Sequence, residues 1–169
     1  MKRLTIKLIL GLLLSLLFAM PSLGESNIKI GDRMIEKNST IEPFSLNDQF
    51  GEEHKLEEMP KILICSFGKE SGKLISSYFN EQSSDYLTSN NIKLMADVSG
   101  VPSLLRKTII FPKMKKYSFE ILVSTQSDFM KQFPSKEDML TVLKIDGGIV
   151  KDILFVSDED GLKEVIERK

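Results

Sequence analysis

The chain has 169 residues, with 23 basic and 24 acidic side chains, a formal net charge of −1 and 41% apolar residues. This composition is typical of a globular protein and excludes a disordered or collagen-like chain. The near-neutral charge also argues against a nucleic-acid-binding protein, which needs a strongly basic surface. Only one cysteine, Cys65, is present, so the sequence predicts no intramolecular disulfide.

The N-terminus predicts a secretory signal peptide over residues 1–24. Three basic residues precede an apolar run from Leu8 to Met20, and the small residues Ser22 and Gly24 follow it. The run is too short for a comfortable bilayer span, so we expect cleavage after Gly24 and export to a periplasm-like space. Cleavage would remove three basic residues and no acidic ones, leaving an acidic mature chain. A retained N-terminal anchor is the alternative.

Hydrophobic patterns predict strands and helices beyond a polar, loosely packed lead-in over residues 25–40. Pro43 confines the first strand to a sheet edge, because proline cannot donate a ladder hydrogen bond. Continuous apolar runs indicate central strands, and spacings of three and four residues indicate helices. Strands are expected at 42–46, 61–67, 92–98, 119–124, 139–145 and 149–156, and helices at 72–89, 99–111 and about 158–168.

This order of elements predicts the fold class. Strands that alternate with helices form parallel pairs, and Asp146-Gly147 between two apolar runs indicates a terminal antiparallel hairpin. The expected architecture is α/β, with a mixed central β-sheet, helices on both of its faces, and a C-terminal β-hairpin followed by a helix.

Three stretches carry a resemblance to the thioredoxin-like superfamily, in its TlpA and peroxiredoxin-related branch. Residues 43–56 resemble the entry hairpin of that branch, residues 61–89 its strand and active-site helix, and residues 140–147 its C-terminal hairpin. The order and spacing of these stretches extend the resemblance over one domain, residues 41–169. The resemblance implies this fold, with a functional site where the second strand meets the helix.

The usual redox residues of the superfamily are absent from that junction. The resemblance implies Cys-x-x-Cys, or one peroxidatic cysteine, where the positive end of the helix dipole stabilises a thiolate. Here Ser71 and Leu74 occupy the two cysteine positions, and Asp138 and Met139 stand where the superfamily places a proline. The resemblance therefore predicts the fold without its usual thiol chemistry.

Two sets of residues are candidates for binding. A helix N-terminus attracts anions, which makes Ser71, Gly72 and Lys73 candidates together with Asp138 and Met139 in the proline position. A second set is a basic stretch that is interleaved with apolar residues. It is either a solvated helix end or a docking patch for an acidic partner or an anionic membrane surface. The patch consists of Arg106, Lys107, Lys113, Lys115 and Lys116.

Two further residues, Cys65 and His54, carry side chains that take part in catalysis or metal binding in other settings. Cys65 lies inside a predicted buried strand, where a cysteine acts as a small hydrophobic residue with a raised pKa. His54 lies in a predicted polar loop, where no other His or Cys supplies the further ligands of a metal site. The sequence therefore predicts no metal and no cofactor.

The sequence as a whole favours an exported, redox-inactive, thioredoxin-like protein that acts as a periplasmic binding or accessory protein. Its expected partner is a periplasmic protein, with no nucleic acid and no stable membrane insertion after signal cleavage. The alternative is a thiol-dependent oxidoreductase or peroxidase that uses Cys65. A third possibility is a membrane-surface protein held by a retained signal segment and the basic stretch.

Overall fold

A computed structural model describes residues 33–168 of the chain. The predicted signal peptide, its cleavage site after Gly24 and residues 25–32 of the lead-in lie outside the described residues. None of the helices found over residues 33–168 has the length and apolar character that crossing a membrane requires.

The described residues form seven strands and six α-helices. The strands are β1 (Phe44–Asp48), β2 (Glu53–Leu56), β3 (Ile62–Ser66), β4 (Ile92–Asp97), β5 (Leu122–Ser124), β6 (Leu140–Asp146) and β7 (Ile149–Val156). The helices are α1 (Lys69–Asn80), α2 (Tyr86–Ser89), α3 (Ser103–Leu105), α4 (Phe111–Met114), α5 (Ser127–Met130) and α6 (Glu159–Glu167). A π-helical turn, Arg106–Ile110, joins α3 to α4. These three pieces are called the 103–114 segment below.

All seven strands belong to one mixed sheet in the order β2-β1-β5-β4-β3-β6-β7. The pairs β3–β4 and β4–β5 are parallel, and the remaining pairs are antiparallel. Gly147 and Gly148 join β6 to β7 with φ values of 56° and 79°, which glycine adopts without steric cost. The predicted mixed α/β sheet with a C-terminal hairpin is therefore confirmed.

Two apolar layers cover the sheet, one on each face, and β3 contributes to both. Successive side chains of a strand point to opposite faces. Ile62 and Ile64 pack with α1 and α6 in the first layer, whereas Leu63 and Cys65 pack with α5 in the second. Every residue of β3 is buried, as the continuous apolar run predicts.

The first predicted strand lies inside the sheet, not at its edge. β1 pairs with β2 on one side and with β5 on the other. Pro43 directly precedes β1, so it removes no hydrogen bond from the ladder. β2 forms the edge instead, and it places His54 on a strand where the sequence predicted a loop.

The predicted helix over 72–89 is two helices. α1 begins earlier, at Lys69, and ends at Asn80. A turn follows in which Ser83 Oγ donates to Asp85 at 2.6 Å, and Tyr86 N donates to the Ser83 carbonyl. Ser and Asp side chains compete in this way with the backbone hydrogen bonds of a helix. The apolar spacing continues through the turn, so it could not reveal the break.

The helix predicted to stop near Phe111 continues to Met114. The Phe111 N–H donates to the carbonyl of Arg106, five residues earlier, in the π-helical turn. Pro112 therefore lies in the first turn of α4, where a missing N–H costs little. The proline is accommodated by a local change of helical register.

Two further boundaries differ from the predictions. Residues 33–40 are packed, because Ile35 is buried and its N–H donates to Gln132 O at 2.6 Å. β5 is only three residues long, because the buried Gln49 side chain donates to the Phe119 carbonyl and accepts from the Ile121 N–H. A side chain thus replaces the partner strand over the first half of the predicted strand 119–124.

Candidate functional site

The junction between β3 and α1 is held by the Ser71 side chain. Ser71 is 1% exposed, and its Oγ accepts hydrogen bonds from the N–H groups of Phe67 and Gly68, each at 3.2 Å. The same hydroxyl donates to the Gly68 carbonyl at 3.2 Å. A serine hydroxyl has one donor and two acceptor positions, so these three bonds use all of them. Ser71 therefore orders the junction and has no free hydrogen-bonding capacity for a ligand.

The single thiol lies on the other face of the sheet. Cys65 is fully buried in the apolar layer opposite α1, next to residues such as Leu63, Met95 and Leu143. Desolvation by burial strongly raises the pKa of the Cys65 thiol, so almost no thiolate forms at neutral pH. The structure does not favour the alternative function that relies on this thiol.

A cavity of about 470 Å³ lies at the carboxyl ends of the parallel strands β3 and β4. The first turns of α1 and the inner side of the 103–114 segment form its walls. We call it the junction cavity. Its apolar wall consists of Ile75, Ala96, Val98, Val101, Ile110, Met114 and Ile121. Its rim carries three ammonium groups, from Lys69, Lys73 and Lys113, and one carboxylate, from Asp97.

Three glycines border this cavity: Gly68, Gly72 and Gly100. None of them has the positive φ that favours glycine. A Cβ added at any of the three positions would meet no atom within 4 Å. Gly72 lies inside α1, where glycine costs about 0.5–1 kcal/mol relative to alanine. The space beside all three glycines is therefore open.

Hydrogen bonds fix the far wall of the cavity to the sheet. Arg106 Nη1 donates to the carbonyl oxygens of Val98 at 3.2 Å and Ser99 at 3.4 Å. Asp97 Oδ1 accepts from the Ser99 N–H at 2.8 Å and so orders the turn after β4. These contacts hold the 103–114 segment against the end of β4, which preserves the space between that segment and α1.

The residues predicted to bind lie in different environments. Gly72 and Lys73 line the junction cavity. Ser71 does not line it, because its buried side chain is bonded to the backbone of the turn before α1. Asp138 and Met139 are not among the lining residues. They belong to the turn before β6, where Asp138 has φ of 58° and the Met139 N–H donates to Lys136 O. The structure thus brings part of the predicted set together.

The five predicted patch residues also separate. Arg106 is half-buried and hydrogen-bonded to the backbone, and Lys113 lies at the cavity rim. Lys107, Lys115 and Lys116 are exposed, and the outer side of the same segment presents large apolar side chains. Leu104, Leu105 and Ile109 are 69%, 44% and 55% exposed.

His54 has carboxylates within reach, which the sequence did not predict. Its Nε2 lies 3.2 Å from Asp48 Oδ2 and its Nδ1 lies 3.6 Å from Glu120 Oε1. One potential ligand atom from each of these residues lies within 4.8 Å of the others. No His or Cys lies beside His54 in this group, as the sequence predicts, but the two carboxylates were overlooked. Lys93 Nζ, however, already lies 2.7 Å from Glu120 Oε1, and its positive charge opposes a cation at this position.

Comparison with known proteins establishes the fold. No family model matches the chain, and no curated protein matches it in sequence. Among solved structures, the peroxidoxin BcpB from Mycobacterium tuberculosis aligns with a TM-score of 0.53 and 15% identity, over 78% of this chain and 94% of that one. StoA from Bacillus subtilis aligns with a TM-score of 0.53 and 17% identity, over 76% of this chain and all of that one. The protein therefore has a thioredoxin-like fold, which confirms the sequence resemblance.

Most of the cavity wall was missed by sequence reasoning. No sequence motif marks the residues of this wall, because tertiary packing brings its segments together. They include Val98, Val101, Ile110 and Met114. One available signal was the pair of parallel strands. In open α/β sheets the crevice beyond the carboxyl ends of such strands is the usual place for a ligand. The strand order could have directed attention to Asp97 and the residues after it.

Proposed function

We propose that the protein is an exported thioredoxin-like binding protein that works without thiol chemistry and holds its ligand in the junction cavity. One contrast supports this proposal above all. The cavity at the β3–α1 junction is open to solvent, and no thiol lines it. The only nucleophilic sulfur, Cys65, is fully buried on the opposite face of the sheet.

The chemical groups around the cavity support binding more than catalysis. The residues that line it include neither His nor Cys. Its one carboxylate, Asp97, already accepts a backbone hydrogen bond that orders the adjacent turn. Burial raises the pKa of Tyr117, so this phenol stays protonated at neutral pH. The lining therefore offers no imidazole and no thiol to act as a general base.

The apolar wall gives the cavity the character of a ligand site. Pockets that hold small molecules are concave, mostly apolar and supplied with a few convergent polar groups. The junction cavity has this composition, with aliphatic side chains on its wall and charged groups on its rim. Its three glycines leave open space at positions where a side chain would be free of steric cost.

The proposal is tested by native mass spectrometry of protein recovered from a cell that exports it. The wild type is compared with Cys65→Ala, which removes the thiol, and with Gly72→Leu, which places a side chain at the cavity. Thr88→Leu is the matched control, because Thr88 is an exposed α2 residue outside the cavity. The expected result is a bound small molecule on the wild type, Cys65→Ala and Thr88→Leu, and its loss from Gly72→Leu.

Two outcomes would contradict the proposal. A bound species that persists in folded Gly72→Leu would place the ligand elsewhere. A bound species that disappears with Cys65→Ala would show that binding depends on the thiol. The same spectra test export, since a mass that begins at Glu25 is expected after cleavage.

A further inference from the structure

We infer that the junction cavity takes a small aliphatic anion, with an alkyl chain against the apolar wall and a carboxylate-type group at the rim. This inference rests on the proposed function and names the chemical class of its ligand. Two independent features carry it: the composition of the wall, and the uneven charge of the rim.

The wall selects for an apolar part of the ligand. Its side chains come from α1, the end of β4 and the 103–114 segment, and Ile75, Ile110 and Met114 are representative. Over residues 33–168 every buried side-chain polar atom already has a hydrogen-bond partner. The aliphatic side chains of the wall offer no hydrogen bonds, so a sugar or a nucleobase packed against them would leave polar groups without partners, at a cost of about 1–3 kcal/mol for each group. An alkyl chain buries none.

The rim selects for negative charge. Lys73 is paired with Glu70 at 2.8 Å, whereas Lys69 and Lys113 take part in no ion pair with another residue of the described part of the chain. They border the cavity from opposite walls, Lys69 at the start of α1 and Lys113 in α4. The single rim carboxylate, Asp97, leaves an excess of positive charge. The dipole of α1, whose N-terminus opens onto this cavity, adds to it.

The overall size agrees with one small amphiphile. A volume of about 470 Å³ falls within the range of pockets that hold ligands of drug size. The cavity is open at the rim, so the charged group of the ligand remains near solvent beside the lysines. A charged head in water and an alkyl chain in the cavity avoid the large cost of burying an unpaired charge.

The test is isothermal titration calorimetry of the folded mature protein with four probes. Decanoate carries both features, 1-decanol only the alkyl chain, acetate only the anion, and decyltrimethylammonium the opposite charge. Decanoate is expected to bind at one site, 1-decanol about tenfold more weakly, and the other two without measurable heat. Equal affinity for decanoate and decyltrimethylammonium would overturn the charge assignment.

Variants locate the two parts of the ligand. Lys69→Gln/Lys113→Gln is expected to weaken decanoate about tenfold and leave 1-decanol unchanged. The control Lys61→Gln/Lys163→Gln removes two exposed lysines that do not line the cavity and is expected to change neither. Gly72→Leu is expected to weaken both probes. Val101→Phe serves the same purpose if Gly72→Leu does not fold. An unchanged decanoate affinity in either cavity variant would contradict this site.

The failure of this inference is distinguishable from the failure of the proposed function. If the native spectra show a ligand that Gly72→Leu abolishes while decanoate does not bind the emptied wild type, the site is correct and the ligand class is wrong. If decanoate binds equally well to folded Gly72→Leu, the site itself is wrong.

Discussion

The two faces of the central sheet differ in what they bury and in what they leave open. On the face that holds Cys65, the apolar side chains around the thiol are closely packed, and residues such as Met95 and Leu143 are 0% exposed. On the face that holds α1, the packing stops short of the carboxyl ends of β3 and β4, and the junction cavity remains. The Cys65 thiol and the junction cavity therefore lie on different sides of the sheet.

The chain therefore has a thioredoxin-like fold, but its thiol is not at the junction where the superfamily resemblance implies one. A thiol at a helix N-terminus is activated by the helix dipole, and one in an apolar layer is suppressed by desolvation. Cys65 has the second environment. At the junction itself Ser71 uses its hydroxyl to order the backbone. Ser71 thus holds the backbone of the junction in place beside the cavity.

The largest expected effect is a difference in stability between two regions. One is the apolar layer around Cys65, which we call the closed face, and the other is the wall of the junction cavity. Leu143→Ala removes a fully buried side chain and is expected to lower the free energy of unfolding by about 2–5 kcal/mol. Ile110→Ala removes a half-buried side chain that borders open space, so its cost is expected to stay below about 1.5 kcal/mol. Urea denaturation followed by circular dichroism measures both. Equal costs would mean that the cavity wall is packed as tightly as the closed face.

A second prediction concerns the structural role of Ser71. Ser71→Ala leaves the N–H groups of Phe67 and Gly68 without their acceptor and is expected to cost about 1–3 kcal/mol. Ser84→Ala, at an exposed serine in the turn after α1, is the control and is expected to cost less than about 0.5 kcal/mol. A Ser71→Ala protein as stable as the wild type would remove the argument that this hydroxyl holds the junction.

Asp48, at the end of β1, is expected to make the stability of the fold depend on pH. Burial raises the pKa of Asp48, but hydrogen bonds from the N–H groups of Glu52, Phe50 and Gly51, and from His54, lower it further than burial raises it. The folded-state pKa therefore lies below the ordinary value of 3.8. This contribution to stability is complete above the unfolded-state pKa and is lost as the pH falls through the folded-state pKa.

The corresponding variant is Asp48→Asn. It is expected to lower the free energy of unfolding at pH 7 by about 1 kcal/mol, because charge-assisted hydrogen bonds become neutral ones. The difference from the wild type should shrink as the pH is lowered from about 5 to about 3. Asp146→Asn, at a carboxylate whose side chain is 83% exposed, is the matched control. A difference that stays constant over this pH range would contradict the assigned pKa shift.

The smallest expected effect lies at the cavity. Gly72→Ala is expected to raise the free energy of unfolding by about 0.5–1 kcal/mol, because alanine is the better helix former and its Cβ meets no atom. A decrease in thermal stability would show that the space beside Gly72 is needed by the folded protein itself. An increase would support the view that this glycine is kept for the cavity at some cost to stability.

The parts of the fold that follow local patterns were predictable. The apolar run over 149–156 coincides with β7, and Asp158, one of two capping residues that the sequence offers beside Ser157, caps α6, with its side chain accepting from the Gly161 N–H at 2.8 Å. Both signals depend on residues only a few positions apart. The predicted buried position of Cys65 follows in the same way from the continuous apolar run around it.

The parts that depend on distant contacts were not predictable. Gln49 replaces a partner strand for residues 119–121, seventy positions away in the chain, and a proline lies inside the 103–114 segment because a π-helical turn precedes it. The cavity depends on such contacts, because its two walls come from segments that are distant in the chain. The sequence predicted the location of its α1 wall through Gly72 and Lys73, and the opposite wall required the packed structure.

The most direct test compares both regions in one molecule. Gly72→Cys adds a thiol at the cavity while Cys65 remains on the closed face. The folded protein is treated with iodoacetamide, and each site is followed by peptide mass spectrometry, with and without decanoate. We predict rapid labelling at position 72, slowed by decanoate, and labelling of Cys65 only in denaturant. Labelling of Cys65 as fast as position 72 in the folded protein, or no labelling at position 72, would contradict the account.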